Sequence, residues 1–177
     1  MKKQLAWSIM LSVSMFIASS LTAQTSAINT RPPDSAIIEK GKDMAVNVFK
    51  SLREGKSEAI ADWIVEQVGY NWDASTKVQK KGEFKSKLDI LLLEPPASPY
   101  GSIDSYDLID ESYLPGSNRY FRLIYISYHV GAPLVWEYRY YVKPGGELSL
   151  HSIGWNEGNP FDYLSTPDKL LTLWYAH

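Results

Sequence analysis

The chain contains no cysteine. That absence excludes disulfides, thiolate-ligated zinc, thiol nucleophiles and lipid anchoring through an N-terminal cysteine. Histidine is nearly as scarce, with only His129, His151 and His177. Their spacing offers neither HxH nor HxxxH, so a metal site would lack its ligands; no metal and no cofactor is expected. A basic excess is missing as well. Eighteen Lys+Arg stand against twenty Asp+Glu for a net charge of −2, which gives phosphate backbones no electrostatic purchase and argues against a nucleic-acid partner. Phosphate-cradling glycine motifs and Gly-x-Ser-x-Gly are absent, and Ser127 has no neighbouring base in the sequence. No residue is therefore assigned a catalytic role. Repeats and low-complexity tracts are absent too.

What is present begins with Lys2 and Lys3, an apolar run from Leu5 to Leu21 and small residues through Ala23. These are the parts of a secretory signal peptide, expected over residues 1–23, with cleavage after Ala23 or after Ala27. Five serines dilute the run as a membrane anchor, so no stable membrane insertion is expected once it is removed. Cleavage after Ala23 leaves 177 − 23 = 154 residues and, without Lys2 and Lys3, 16 − 20 = −4 in charge. A chain of that length buries enough surface to fold without disulfides. The expected address is the bacterial periplasm or the medium.

Residues 24–33 read as an unstructured leader and 34–177 as one domain. Asp34 or Ser35 caps a helix whose Ile38, Ala45, Val48, Phe49 and Leu52 recur at helical spacing up to Gly55. A second helix opens at Ser57 and ends at Gly69, with Ile60, Ile64 and Val68 on one stripe and Trp63 at its flank. A third starts at Asp73 or Ser75 and carries Val78, Phe84, Leu88, Leu91 and Leu92; Gly82 interrupts it, which leaves one helix or two pieces open. Its five lysines between Lys77 and Lys87 read as a solvated face. After the Pro95–Gly101 connector, Ser102–Tyr113 reads as an edge strand. Leu114–Asn118 is a turn by composition, and Asp168–Trp174 is a short apolar tail of one or two helical turns.

The folding information concentrates in residues 119–157, where three aromatic and β-branched runs are separated by Gly131-Ala132 and Gly145-Gly146. They predict an antiparallel meander, with type II′ and type I′ turns. That register pairs Tyr128 with Val135 and Tyr125 with Tyr138 across the first turn. Across the second it pairs Trp136 with Trp155, Tyr138 with Ile153 and Tyr140 with His151. One face then holds Phe121, Leu123, Tyr125, Ser127, His129, Leu134, Trp136, Tyr138, Tyr140, Val142, His151, Ile153 and Trp155, and belongs under the helices. The other holds Arg122, Ile124, Ile126, Glu137, Arg139, Tyr141, Leu150 and Ser152 and is expected to be wet or covered by a partner. Helices first and strands afterwards define an α+β protein, with N-terminal helices packed across a strongly curved, cone-like antiparallel sheet.

This order, together with Leu93-Glu94-Pro95-Pro96-Ala97-Ser98-Pro99-Tyr100-Gly101 and Gly131-Ala132-Pro133-Leu134-Val135-Trp136-Glu137, resembles secreted bacterial members of the nuclear transport factor two-like superfamily, the cystatin-like α+β cone, over residues 36–160. The resemblance implies a conical cavity between sheet and helices and often a homodimer through the outer sheet face. It transfers no chemistry. Tyr125, His129, Trp136, Tyr138, Tyr140, His151 and Trp155 are the candidate ligand-binding residues of such a cavity, and Asn156, Glu157 and Asp162 are candidates to gate its mouth. The function expected is binding of a small apolar or aromatic ligand or of a partner protein. The alternatives are an isomerase or hydro-lyase using a cavity His and Tyr, and an envelope interaction module dimerising through Ile124, Ile126 and Tyr141.

Overall fold

The computed structural model describes residues 32–164 apart from Pro115. The expected signal peptide, most of the leader, the apolar tail at Asp168–Trp174 and His177 lie outside the described residues. Three helices come first, α1 (Ser35–Arg53), α2 (Ser57–Val68) and α3 (Ala74–Ile90). Four strands follow, β1 (Ile103–Tyr113), β2 (Tyr120–His129), β3 (Leu134–Val142) and β4 (Leu148–Asn156), then a 3₁₀ turn at Pro160–Tyr163. The strands form one open antiparallel sheet in the order β1-β2-β3-β4. The molecule is α+β, and no helix among the described residues is long and apolar enough to cross a membrane.

Asp34 caps α1 by accepting the Ala36 N–H at 2.8 Å, and Gly55 ends it with φ +70°, a conformation that costs glycine nothing. Ile38, Ala45, Val48, Phe49 and Leu52 are all buried. Gly41 joins them because α1 touches the sheet there. A Cβ on it would sit 2.9 Å from the Phe121 ring, and the Tyr140 hydroxyl donates to the Gly41 carbonyl at 2.8 Å. Asp73 caps α3 through the Thr76 N–H at 2.7 Å. Of the two forms left open at Gly82 the helix takes the unbroken one, because the other helix formers around one exposed glycine outweigh a cost of about 1 kcal/mol. It buries little beyond Leu88, and Val78 is exposed. Its lysines do face water in ion pairs, Lys80 to Glu83 at 2.7 Å, Lys85 to Asp89 at 2.7 Å and Lys81 to Asp62 at 2.8 Å.

The two turns differ from expectation, and proline causes both differences. Pro133 has no N–H with which to close a tight turn. The β2–β3 connection therefore widens until Ser127 pairs with Leu134 and Tyr125 with Trp136, two positions from the expected register. Its backbone is held by the β1 connector instead, with the Gly131 N–H donating to Tyr100 O at 2.7 Å and Val130 N–H to Ser102 O at 3.1 Å. A shift of two preserves which side chains share a face. Pro144 likewise spoils a two-residue turn, and the loop closes one residue wider, with the Lys143 N–H donating to Glu147 O at 2.8 Å. That offset reverses the face of each β4 residue next to the turn. Leu148 and Leu150 enter the core and pair with Val142 and Tyr140. A bulge between the Tyr140↔Leu150 and Arg139↔Ser152 pairs then restores the expected register, so Tyr138↔Ile153 and Trp136↔Trp155 are as expected. The bulged residue is His151, which is exposed. Leu150 inside and His151 outside are thus corrections to the expected faces.

The edge strand β1 carries two further register shifts. They break its alternation, so that Glu111, opposite Leu123, stands on the helix side, where Lys42 of α1 meets it at 2.8 Å. Asp110 falls on the other side, opposite Ile124.

Candidate functional site

The structure divides the seven candidate residues between two places. Tyr125, His129, Trp136, Tyr138, Tyr140 and Trp155 come together on the helix side of the sheet. There Trp136 stacks on Trp155 at 4.9 Å between ring centroids and Tyr138 lies parallel to Tyr140 at 6.3 Å. Phe49 of α1 drives edge-on into this array, 5.4 Å from Trp136 and 6.2 Å from Tyr138. Trp136, Tyr138 and Tyr140 have no exposed surface. Packing fills this side of the sheet.

A polar chain runs through that packing. The Trp136 indole N–H donates to Ser127 Oγ at 2.8 Å, and Ser127 Oγ lies 3.0 Å from His129 Nε2. His129 Nδ1 lies 2.8 Å from the Gly101 carbonyl. The carbonyl can only accept, so Nδ1 carries the proton, Nε2 accepts from Ser127, and Ser127 accepts from Trp136. Ser127 therefore does have a base beside it, two residues along the same strand face, contrary to the sequence reading. Both ends of the dyad are occupied, however, and Ser127 is fully buried, so the arrangement orients side chains and offers a substrate nothing.

Burial pushes the pKa of His129 below its ordinary value of 6.5, only partly offset by the Gly101 carbonyl. A histidine kept neutral in the folded state and free to charge in the unfolded one stabilises the fold above about pH 6.5. The unfolded chain takes up the proton first on acidification, so this stability is lost as pH falls below that point. Unfolding midpoints measured between pH 7.5 and 5 should therefore decline, and His129→Gln should flatten the decline.

Tyr138 has a buried hydroxyl with no hydrogen-bond partner among the described residues. Removing an unsatisfied buried hydroxyl relieves a desolvation cost of about 1–3 kcal/mol. Tyr138→Phe is therefore expected to raise the unfolding midpoint, whereas Tyr140→Phe, which loses the bond to Gly41, should lower it.

His151 stands apart, in a cleft of about 570 Å³ on the far side of the bulge. Its floor and walls come from three elements. Gln67, Val68 and Tyr70 lie at and beyond the end of α2, Tyr120 begins β2, and Tyr141, Lys143, Ser149 and Leu150 come from the β3–β4 hairpin. Tyr120 meets the His151 ring edge-on at 5.6 Å. Arg119 lies over the Tyr141 ring at 5.0 Å and donates to its hydroxyl at 2.8 Å, which fixes that ring's plane. Tyr70 is 80% exposed, a large apolar ring offered to solvent at the rim. Such a site presents aromatic faces, the polar groups of Gln67 and His151, and Lys143, whose ammonium is paired with Glu147 at 3.0 Å.

Sequence reasoning missed Tyr70 and Tyr120 altogether and left Tyr141 on the outer face. The available signal was Pro144, whose effect on the turn moves His151 to the side of Tyr120 and Tyr141. The proposed gate residues have local duties. Glu157 accepts from the Tyr100 hydroxyl, a bond that with burial pushes the Tyr100 pKa up to about 12. Asn156 donates to the Tyr163 hydroxyl at 2.8 Å, and Asp162 lies in the 3₁₀ turn. No group of three or more His, Asp or Glu among the described residues is placed to hold a metal.

Fold and site together define an α+β protein with three helices on one side of a four-stranded antiparallel sheet and an aromatic cleft at the β4 edge. Comparison of the chain with family models, curated proteins and solved structures returns no match.

Proposed function

We propose that the protein is an exported binding module of nuclear transport factor two-like build that takes a small aromatic ligand in the cleft beside His151. The observation that carries this reading is the convergence of Tyr70, Tyr120, Tyr141 and His151 on one open cleft. Arg119 already holds one of those rings in place, which lowers the ordering cost of binding. The N-terminal Lys2-Lys3 head and apolar run support export to the periplasm or the medium. The six aromatic and histidine candidates in the core support the ligand site by fixing the sheet rather than by touching the ligand.

An isomerase or hydro-lyase would need a histidine and a tyrosine hydroxyl that reach a substrate. His129 is committed to Ser127 and Gly101, whereas His151 and Tyr120 share the open cleft, so an enzymatic reading rests on that pair. Native mass spectrometry of the protein purified under non-denaturing conditions tests the binding reading. The expected spectrum shows a co-purified small molecule, its occupancy reduced in Tyr120→Ala by about two- to tenfold in affinity, since one stacked ring contributes about 0.5–1.5 kcal/mol. A ligand-free spectrum that no added aromatic compound changes would contradict it. The same spectrum reports whether a homodimer forms.

A further inference from the structure

The hydrogen bonds behind the walls of the His151 cleft decide which polar atoms are left for a ligand. β4 is an edge of the sheet, so the Leu150 N–H needs a partner other than a neighbouring strand. It finds the amide oxygen of Gln67, at 3.5 Å. The opposite flip of that amide would set donor against donor, so Gln67 is left with its N–H groups. Tyr141 accepts from Arg119 Nη2 at 2.8 Å. A guanidinium only donates, so the phenolic proton of Tyr141 stays free, and the charge behind it strengthens it as a donor. Lys143 gives one N–H to Glu147 at 3.0 Å and keeps its others. His151 contributes one N–H in either neutral tautomer.

Acceptor-only side chains are missing from the same walls. No Asp or Glu stands among the described residues that line the cleft, and Glu147, paired with Lys143, lies outside that lining. Arg119 has no carboxylate partner among the described residues. Its Nε and Nη2 donate to the Val142 carbonyl at 2.7 Å and to the Tyr141 hydroxyl, both neutral. Arg119 is half-buried, where water and salt screen a charge less than at the open surface. Donors therefore face the cleft from α2 and from the β3–β4 hairpin, and an unneutralised cation stands behind one of them.

On the reading of this cleft as an aromatic-ligand site, we propose that its ligand is an aromatic carboxylic acid. The ring meets the tyrosines, and the carboxylate accepts from the donors that Gln67 and Tyr141 have left. The chain's own inner bonds set this polarity, because each ties up an acceptor atom and leaves a proton for the ligand. An aromatic amine would bring donors to donors and a positive charge toward Arg119, so the same cleft rejects it.

Calorimetric titration of the full chain at neutral pH with indole-3-acetate, indole and tryptamine separates ring from polar end. Indole-3-acetate is expected to bind about tenfold or more tighter than indole, with tryptamine the weakest. Gln67→Glu keeps an oxygen for Leu150 and exchanges the N–H groups for a second oxygen. It should lower the affinity ratio of indole-3-acetate to tryptamine by about tenfold or more. Tyr141→Phe keeps the ring and removes the proton, and should lower the ratio of indole-3-acetate to indole by about three- to tenfold. Equal binding of the three compounds, or tightest binding of tryptamine, would overturn the carboxylate assignment and leave the aromatic site standing. A preference for indole-3-acetate that neither substitution changes would also overturn it, since these donors would then not hold the acid. Saturation by none of the three would remove the aromatic site and the carboxylate assignment together.

Discussion

Phe49→Ala should lower the stability of this protein by about 3–5 kcal/mol, the usual cost of deleting a buried aromatic ring. The upper half of that range is expected here, because Phe49 does more than fill volume. It is fully buried and meets four rings, Tyr106 at 4.7 Å, Trp136 at 5.4 Å, Tyr125 at 5.5 Å and Tyr138 at 6.2 Å. Edge-on and stacked aromatic pairs add to simple burial, and the ring is where α1 locks onto three strands. Domains of this size have about 5–15 kcal/mol in total, so the loss is a large part of the fold's stability. Equilibrium urea unfolding measures it, with Phe161→Ala as the comparison. Phe161 is 54% exposed, and its removal should change stability by less than about 0.5 kcal/mol. Equal midpoints for the two variants would show that the aromatic array is not what holds α1 to the sheet.

Ser127→Ala should cost about 2–4 kcal/mol although it removes a single oxygen atom. That oxygen accepts from the Trp136 indole and donates to His129, both buried. Without it two polar groups lose their partner in a medium that supplies no other, and each orphan costs about 1–3 kcal/mol. The loss from a surface serine such as Ser105, exposed on β1, should be a few tenths at most. Ser127→Cys, which restores a weak donor and acceptor in similar volume, should fall between wild type and alanine. Were Ser127→Ala neutral in urea unfolding, the polar chain from Trp136 to Gly101 would contribute nothing to stability.

Much of this architecture was legible in the residues. The helix boundaries follow from Asp34, Gly55, Ser57 and Asp73. The period of two along β2 and β3 places Tyr125, Ser127, His129, Trp136, Tyr138 and Tyr140 on one side whatever the even register, which is why a two-residue slip did no harm. Turn closure was not legible. Glycine pairs name a turn type, but Pro133 and Pro144 remove the N–H groups that the tightest forms need, and the chain chooses the wider closure. At Pro144 the change is odd, and a bulge at His151 absorbs it. One histidine thus changes sides, and the candidate site moves with it from the interior to the hairpin edge. The burial of Ile124 and Ile126 was also hidden, because an apolar residue among Arg122, Glu137 and Arg139 reads as a surface position.

In the proposed function, ligand recognition belongs to the bulge-built cleft at His151, and the interior aromatic array is packing. The decisive measurement is chemical-shift mapping of the ¹⁵N-labelled protein during titration with indole-3-acetate, a planar aromatic compound suited to the rings of the cleft. Saturable shifts are expected at Tyr70, Tyr120, Tyr141 and His151, with affinity about two- to tenfold weaker in Tyr120→Ala. Saturable shifts centred on His129, Trp136 and Tyr138 with the cleft silent would contradict it.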